Sequence, residues 1–122
     1  MSEIERFGSS SRWSDLVVYR GVAHWVEVAD DMSLDVRGQV AQVLNQIDAT
    51  LASFGGKRTD LLQVLIYITD LRNAQILNEL WDSWVPAGHP PVRAMVQAGL
   101  AGEYLVEMVI TAAAPDSSAR EE

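Results

Sequence analysis

Two stretches of helical periodicity, interleaved with short apolar runs, constrain this chain of 122 residues more than any other feature. Val36, Val40, Val43, Leu44, Ile47 and Leu51 recur every three or four residues and form one apolar stripe. Ile76, Leu77, Leu80, Trp81 and Trp84 form a second, in a helix expected over 73–84. The runs around them have the length and composition of strands. Residues 16–19 and 23–28 flank Arg20-Gly21 and read as a hairpin. Residues 61–69 are apolar on both faces, which suits a buried central strand. Residues 92–97 and 104–111 supply the last two strands. Ser33 is read as the cap of the first helix, with Asp35 in its first turn, and Gly55-Gly56 as its left-handed stop. The resulting order, β-β-α-β-α-β-β, predicts an α+β domain: one sheet with two helices on one face. That arrangement leaves the second sheet face bare. Leu61, Leu65 and Tyr67 are expected on it, and an exposed apolar face of this kind marks an interface. The sequence therefore points to an oligomer.

The length fits one domain, expected over 12–114, between a flexible start (1–11) and a disordered polar tail (115–122). Hydrophobic residues make up 48% of the chain, enough for a core. The absence of cysteine excludes disulfides, thiolate metal sites and a cysteine nucleophile. No signal-peptide pattern or membrane-spanning apolar run is present, so the cytoplasm is the expected location. A net charge of −8, with nine scattered basic residues, argues against nucleic acid as a partner. His24 and His89 are far apart and lack carboxylates at ligand spacing, so no metal is expected. Walker, dinucleotide-binding and nucleophile-elbow patterns are all absent, and no cofactor is expected.

Two charges stand inside apolar strands. Pro90-Pro91 hold the chain extended, and Arg93 follows within the run from Val92 to Val96. Glu107 lies among Leu105, Val106, Met108 and Val109. A charge in such a run is costly unless it is paired or faces a cleft. Opposite charges on neighbouring strands read equally well as a site or as a structural ion pair.

The segments Arg12-Trp13-Ser14-Asp15, Asn78-Glu79-Leu80-Trp81-Asp82-Ser83-Trp84, Ala87-Gly88-His89-Pro90-Pro91-Val92-Arg93, Val96-Gln97-Ala98-Gly99-Leu100 and Val106-Glu107-Met108-Val109-Ile110, in this order and spacing, resemble the Rid family. These are also called YjgF or reactive-intermediate deaminase proteins, and the resemblance is to the YoaB-like branch. It spans residues 12–113. It implies a chorismate-mutase-like fold, a homotrimeric barrel-like assembly and sites in clefts between subunits. The implied reaction is hydrolysis of a small imine or enamine acid to a keto acid and ammonia, with water as nucleophile. Arg93 matches the arginine that holds the substrate carboxylate, for which a planar fork is suited. Glu107 matches the glutamate that positions or activates the water. Asn78 matches an asparagine near the cleft, and Trp13 a tyrosine that closes over the ligand. Met95 stands where a cysteine is frequent and shares a strand face with Arg93. Val26 and Glu27 replace a hydroxyl residue and a glycine of the site floor. Glu27 is expected to project toward Arg93 from an adjacent strand and to compete with a carboxylate ligand. A non-catalytic carboxylate-binding trimer with an altered cleft is the alternative reading. Ribonuclease activity, a label carried by some relatives, is disfavoured by the charge.

Overall fold

In the computed structural model, which describes residues 3–115, a single six-stranded sheet carries two helices. The strands are β1 (Glu5–Phe7), β2 (Leu16–Tyr19), β3 (Val22–Val28), β4 (Leu61–Ile68), β5 (Val92–Gln97) and β6 (Val106–Ala113); the helices are α1 (Val36–Ser53) and α2 (Ala74–Trp84). The sheet order is β1-β2-β3-β6-β4-β5. All pairs are antiparallel except β4–β5, which are parallel and joined by the α2 crossover. The α+β reading and the order of its elements are thus found, with β1 added in front. Residues 5–7, expected to be frayed, pair with β2. The tail expected to be disordered lies, from residue 116 on, outside the described residues.

The hairpin between β2 and β3 turns on Arg20 (φ 50°) and Gly21 (φ 78°). Two consecutive left-handed residues match the right-handed twist of the flanking strands. Ser33 does not cap α1. Its hydroxyl donates to Asp31 at 2.6 Å, and this contact holds the Asp31 carboxyl below its usual range. Asp35 is the cap instead, its carboxylate accepting from the Gly38 amide at 2.8 Å. An extended residue with a short acceptor directly before the helix satisfies one of the orphan amides of the first turn. The helix ends as expected at Gly55 (φ 81°), with the Gly56 amide returning to the Leu51 carbonyl at 2.7 Å.

One face of the sheet and both helix stripes form the core. Val64, Ile66, Ile68, Val106, Met108, Ile110 and Ala112 from the central strands meet Val40, Val43, Ile47, Leu51, Leu77, Trp81 and Trp84 from the helices. Leu61 belongs to this core and not to the bare face. The ladder between β4 and β6 slips by one residue between Leu61 and Gln63, so Leu61 and Val64 point the same way. Leu65 and Tyr67 do face the other side, half-buried. Across that bare face Val26, Val92 and Val96 are exposed.

Gln39 is the buried polar residue of this core, with no exposed surface. Its amide nitrogen lies 3.1 Å from the carbonyls of Met32, Leu34 and Glu103, and its carbonyl accepts from the Leu105 amide at 2.8 Å. It thereby ties the loop entering α1 to the loop entering β6. Replacing Gln39 by Leu strands buried backbone groups, each costing about 1–3 kcal/mol. Thermal melting of Gln39→Leu should fall by roughly 10 °C; a parental melting curve contradicts the assigned role.

Candidate functional site

Strand alternation assigns the two strand charges to different layers. β5 is an edge strand paired only with β4, and Arg93, Met95 and Gln97 point from it toward the helices. The Arg93 Nη1 donates to Asn78 Oδ1 at 2.8 Å, and its Cζ lies 5.3 Å from the centroid of the Trp81 ring. Asn78 and Trp81 are three residues apart on α2, hence on one helix face. Arg93 is exposed and makes no ion pair within the described chain, unlike Arg37 with Glu79, Arg58 with Asp48 and Arg72 with Asp70. Its fork has donors to offer an anion.

Glu107 points the other way. Its neighbours Val106 and Met108 are fully buried under the helices, so its own side chain stands on the bare face, beside Tyr67 and Val28 in the ladder. It is half-buried, and no donor within the described residues reaches its carboxylate. The expectation that Arg93 and Glu107 sit on neighbouring strands is corrected: β4 lies between β5 and β6. With the two side chains on opposite sides of the sheet, the reading as an ion pair within one protomer fails too.

Glu27 is also corrected. β3 is separated from β5 by β6 and β4, and Glu27 turns into the helix layer. Its Oε2 accepts from Trp25 Nε1 at 2.9 Å and from Thr50 Oγ1 at 2.7 Å, and its Oε1 from Gln46 Nε2 at 3.1 Å. A carboxylate on an otherwise apolar strand face is satisfied here by three donors, two of them from α1. Within one protomer it does not project toward Arg93. Val26, its neighbour, is on the bare face and 53% exposed.

Trp13 sits in the loop between β1 and β2. Its backbone is pinned: the Trp13 carbonyl accepts from the Ser10 amide at 2.7 Å, and the Trp13 amide donates to Ser10 Oγ at 3.2 Å. The residue is 64% exposed. Met95 packs at the edge of the core. His24, expected to be partly buried, is exposed on the bare face near Thr111 Oγ1, and His89 lies apart in the loop before β5. Among the described residues no group of three or more acidic, histidine or cysteine side chains forms a metal cluster, and no helix is long and apolar enough to cross a membrane.

Trp81, assigned only to the core from the sequence, also lies at the candidate site. It is core, 5% exposed, yet one face of its ring lies against Arg93. The signal available was its spacing of three from Asn78.

Residues 2–114 match the family described as Endoribonuclease L-PSP. The RutC family protein YoaB of Escherichia coli K12 is 39% identical over 111 residues, 90% of this chain and 97% of the relative. A RutC family protein of Haemophilus ducreyi is 35% identical over 112 residues, 90% of this chain and 96% of the relative. Among solved structures, a YjgF family member from Neisseria meningitidis superposes with a TM-score of 0.87 at 36% identity, covering 94% of this chain and 98% of that one. An uncharacterised protein from Pseudomonas aeruginosa gives 0.88 at 35%, covering 92% and 99%.

The Glu27 network makes a prediction opposite to that of a competing cleft charge. Glu27→Ala removes the acceptor of three donors and should destabilise the fold by about 2 kcal/mol, while 2-ketobutyrate affinity stays at the parental value. Denaturant titration and calorimetry check both. Tighter binding in the variant would return Glu27 to the cleft.

Proposed function

The chain belongs to the Endoribonuclease L-PSP family, the YjgF or Rid proteins, and on that premise we propose that it hydrolyses a small reactive imine or enamine acid to the keto acid and ammonia. The observation that carries this reading is Arg93: an exposed guanidinium with no carboxylate partner among the described residues, oriented by Asn78 and Trp81. Its planar fork suits the two oxygens of a carboxylate.

In the proposed reaction an enamine first tautomerises to the imine. The carboxylate is held at Arg93, which places C2 of the imine within reach of a water. Glu107 accepts a proton as the water oxygen bonds to C2. The attack falls on the protonated imine, whose C=N electron pair returns to nitrogen to give the carbinolamine. Glu107 then hands its proton to that nitrogen, and the C–N bond breaks as the hydroxyl gives its proton back to the Glu107 carboxylate, releasing ammonia and the keto acid. No redox change occurs, and water supplies the oxygen.

Arg93 and Glu107 face opposite sides of one sheet. A site holding both therefore requires the β5 edge of one protomer to meet the bare face of another. The exposed Val26 and Val96 and the half-buried Leu65 and Tyr67 supply an apolar surface for that contact. A closed ring of three protomers, each contributing to two clefts, satisfies the requirement without leaving a face unpaired. Trp13, Val26 and Met95 are assigned to the walls of this cleft.

Three outcomes check the proposal. Sedimentation at micromolar concentration should give a trimer; a stable monomer contradicts a shared cleft. Arg93→Lys should melt like the parent yet lose most 2-ketobutyrate affinity and ammonia release from freshly generated imino acids, because lysine keeps the charge without the fork. A collapsed melting temperature would make Arg93 structural instead. Arg93→Ala and Glu107→Ala should each be inactive, but co-refolding them in equal amounts should restore about a quarter of the sites, those combining an intact residue from each protomer. No recovery contradicts the composite site. Carboxylate binding without any ammonia release favours the non-catalytic alternative.

A further inference from the structure

We propose that Trp81 is the positioning residue of Arg93, its indole face holding the guanidinium in the one orientation that receives a carboxylate. The proposal rests on the reading of Arg93 as the carboxylate-binding residue.

The problem it solves is geometric. β5 is an edge strand with one hydrogen-bonded neighbour, and Arg93 is exposed on it. A long side chain in that setting samples many rotamers, and immobilising it on binding weakens affinity. Two contacts remove this freedom. The Trp81 ring, 5.3 Å from Cζ, fixes the face of the guanidinium, and Asn78 Oδ1, 2.8 Å from Nη1, fixes its rotation within that plane. Both come from one face of α2. The remaining N–H donors are left for a ligand.

The platform itself is anchored. Trp81 meets Trp84 with ring centroids 5.5 Å apart, tilted by 45°. Trp84 lies under the Arg58 guanidinium at 4.9 Å, and Arg58 Nη1 donates to the Trp84 carbonyl at 2.9 Å. Arg58 in turn makes a two-point pair with Asp48 of α1, at 2.8 and 2.7 Å, and this pair raises the Arg58 pKa above its ordinary value. Asp48 also accepts from Trp84 Nε1 at 3.3 Å. A run of contacts thus leads from α1 through Trp84 and Trp81 to Arg93, and places the substrate arginine on a rigid element.

The test compares Trp81→Leu, which removes the ring, with Trp81→Phe, which keeps a smaller one. Calorimetry with 2-ketobutyrate should show affinity about tenfold weaker for Trp81→Leu and within about threefold of the parent for Trp81→Phe. Ammonia release in Trp81→Leu should show a raised KM with kcat largely kept. The Arg93 Nε–H resonance, assigned by its loss in Arg93→Lys, should be ring-current shifted in the parent and in Trp81→Phe, and averaged in Trp81→Leu. A purely structural tryptophan would not move that resonance in a folded variant. Parental affinity together with an unmoved resonance in folded Trp81→Leu overturns the proposal. If the parent binds no 2-ketobutyrate, the carboxylate reading fails, and the resonance alone decides the positioning role. If Trp81→Leu does not fold, an unshifted Arg93 resonance in the parent overturns the proposal, and a shifted one retained in Trp81→Phe supports it.

Discussion

Alternation along strands in a sheet covered on one side governs everything else in this molecule. Two helices cover one face, so each strand residue either meets α1 or α2 or stands on the bare side. Arg93 falls in the first class and Glu107 in the second, although only one strand separates theirs. A single protomer therefore presents the two charges back to back. Under the proposed mechanism, which uses both charges, catalysis would be inseparable from assembly, and the apolar bare face offers a surface for it. The same exposed valines that would be a liability in a monomer are, in the proposed assembly, the surface against which a second β5 edge rests.

α1 does more than bury a stripe. Gln39, Gln42 and Gln46 lie along one side of it and satisfy backbone groups of the connection between β3 and α1. Gln46 also holds Glu27, and Asp48 holds Arg58. The helix is thus a polar scaffold as well as an apolar one, and its reach extends through Arg58 and the two tryptophans to the candidate site. Buried polar networks of this type rigidify a structure when every member is satisfied. Among the described residues no buried side-chain polar atom lacks a partner.

The helices, the hairpin on Arg20-Gly21 and the strand after Pro90-Pro91 were legible because each is set by local chemistry: apolar period, left-handed turn residues, fixed proline dihedrals. What was not legible is non-local. Consecutive strands pair often enough that β5 and β6 read as neighbours, but the α2 crossover returns β5 parallel to β4 and inserts β4 between them. The slip at Leu61 reverses a side chain with no sequence signal. Glu27 looked like an intruding charge because its three donors come from Trp25, two residues away on the same strand face, and from a helix about twenty residues on. Trp81 was visible as core and invisible as a site residue, since a buried ring reveals nothing of what rests on its outer face.

The lack of a carboxylate partner for Arg93 among the described residues also bears on what the protein can recognise. The chain carries a net charge of −8, so its far field repels extended polyanions, and a nucleic acid would have to neutralise that field over many phosphates. A small anion meets it only once. Among the described residues no carboxylate pairs with the Arg93 guanidinium, and its side-chain contacts are an amide oxygen and an aromatic face. Both of those neighbours are neutral. They orient the cation without cancelling it, so its charge stays available to a ligand. An exposed arginine held at a sheet edge by neutral neighbours suits the proposed ligand, a short 2-imino or 2-oxo acid with a single compact negative group.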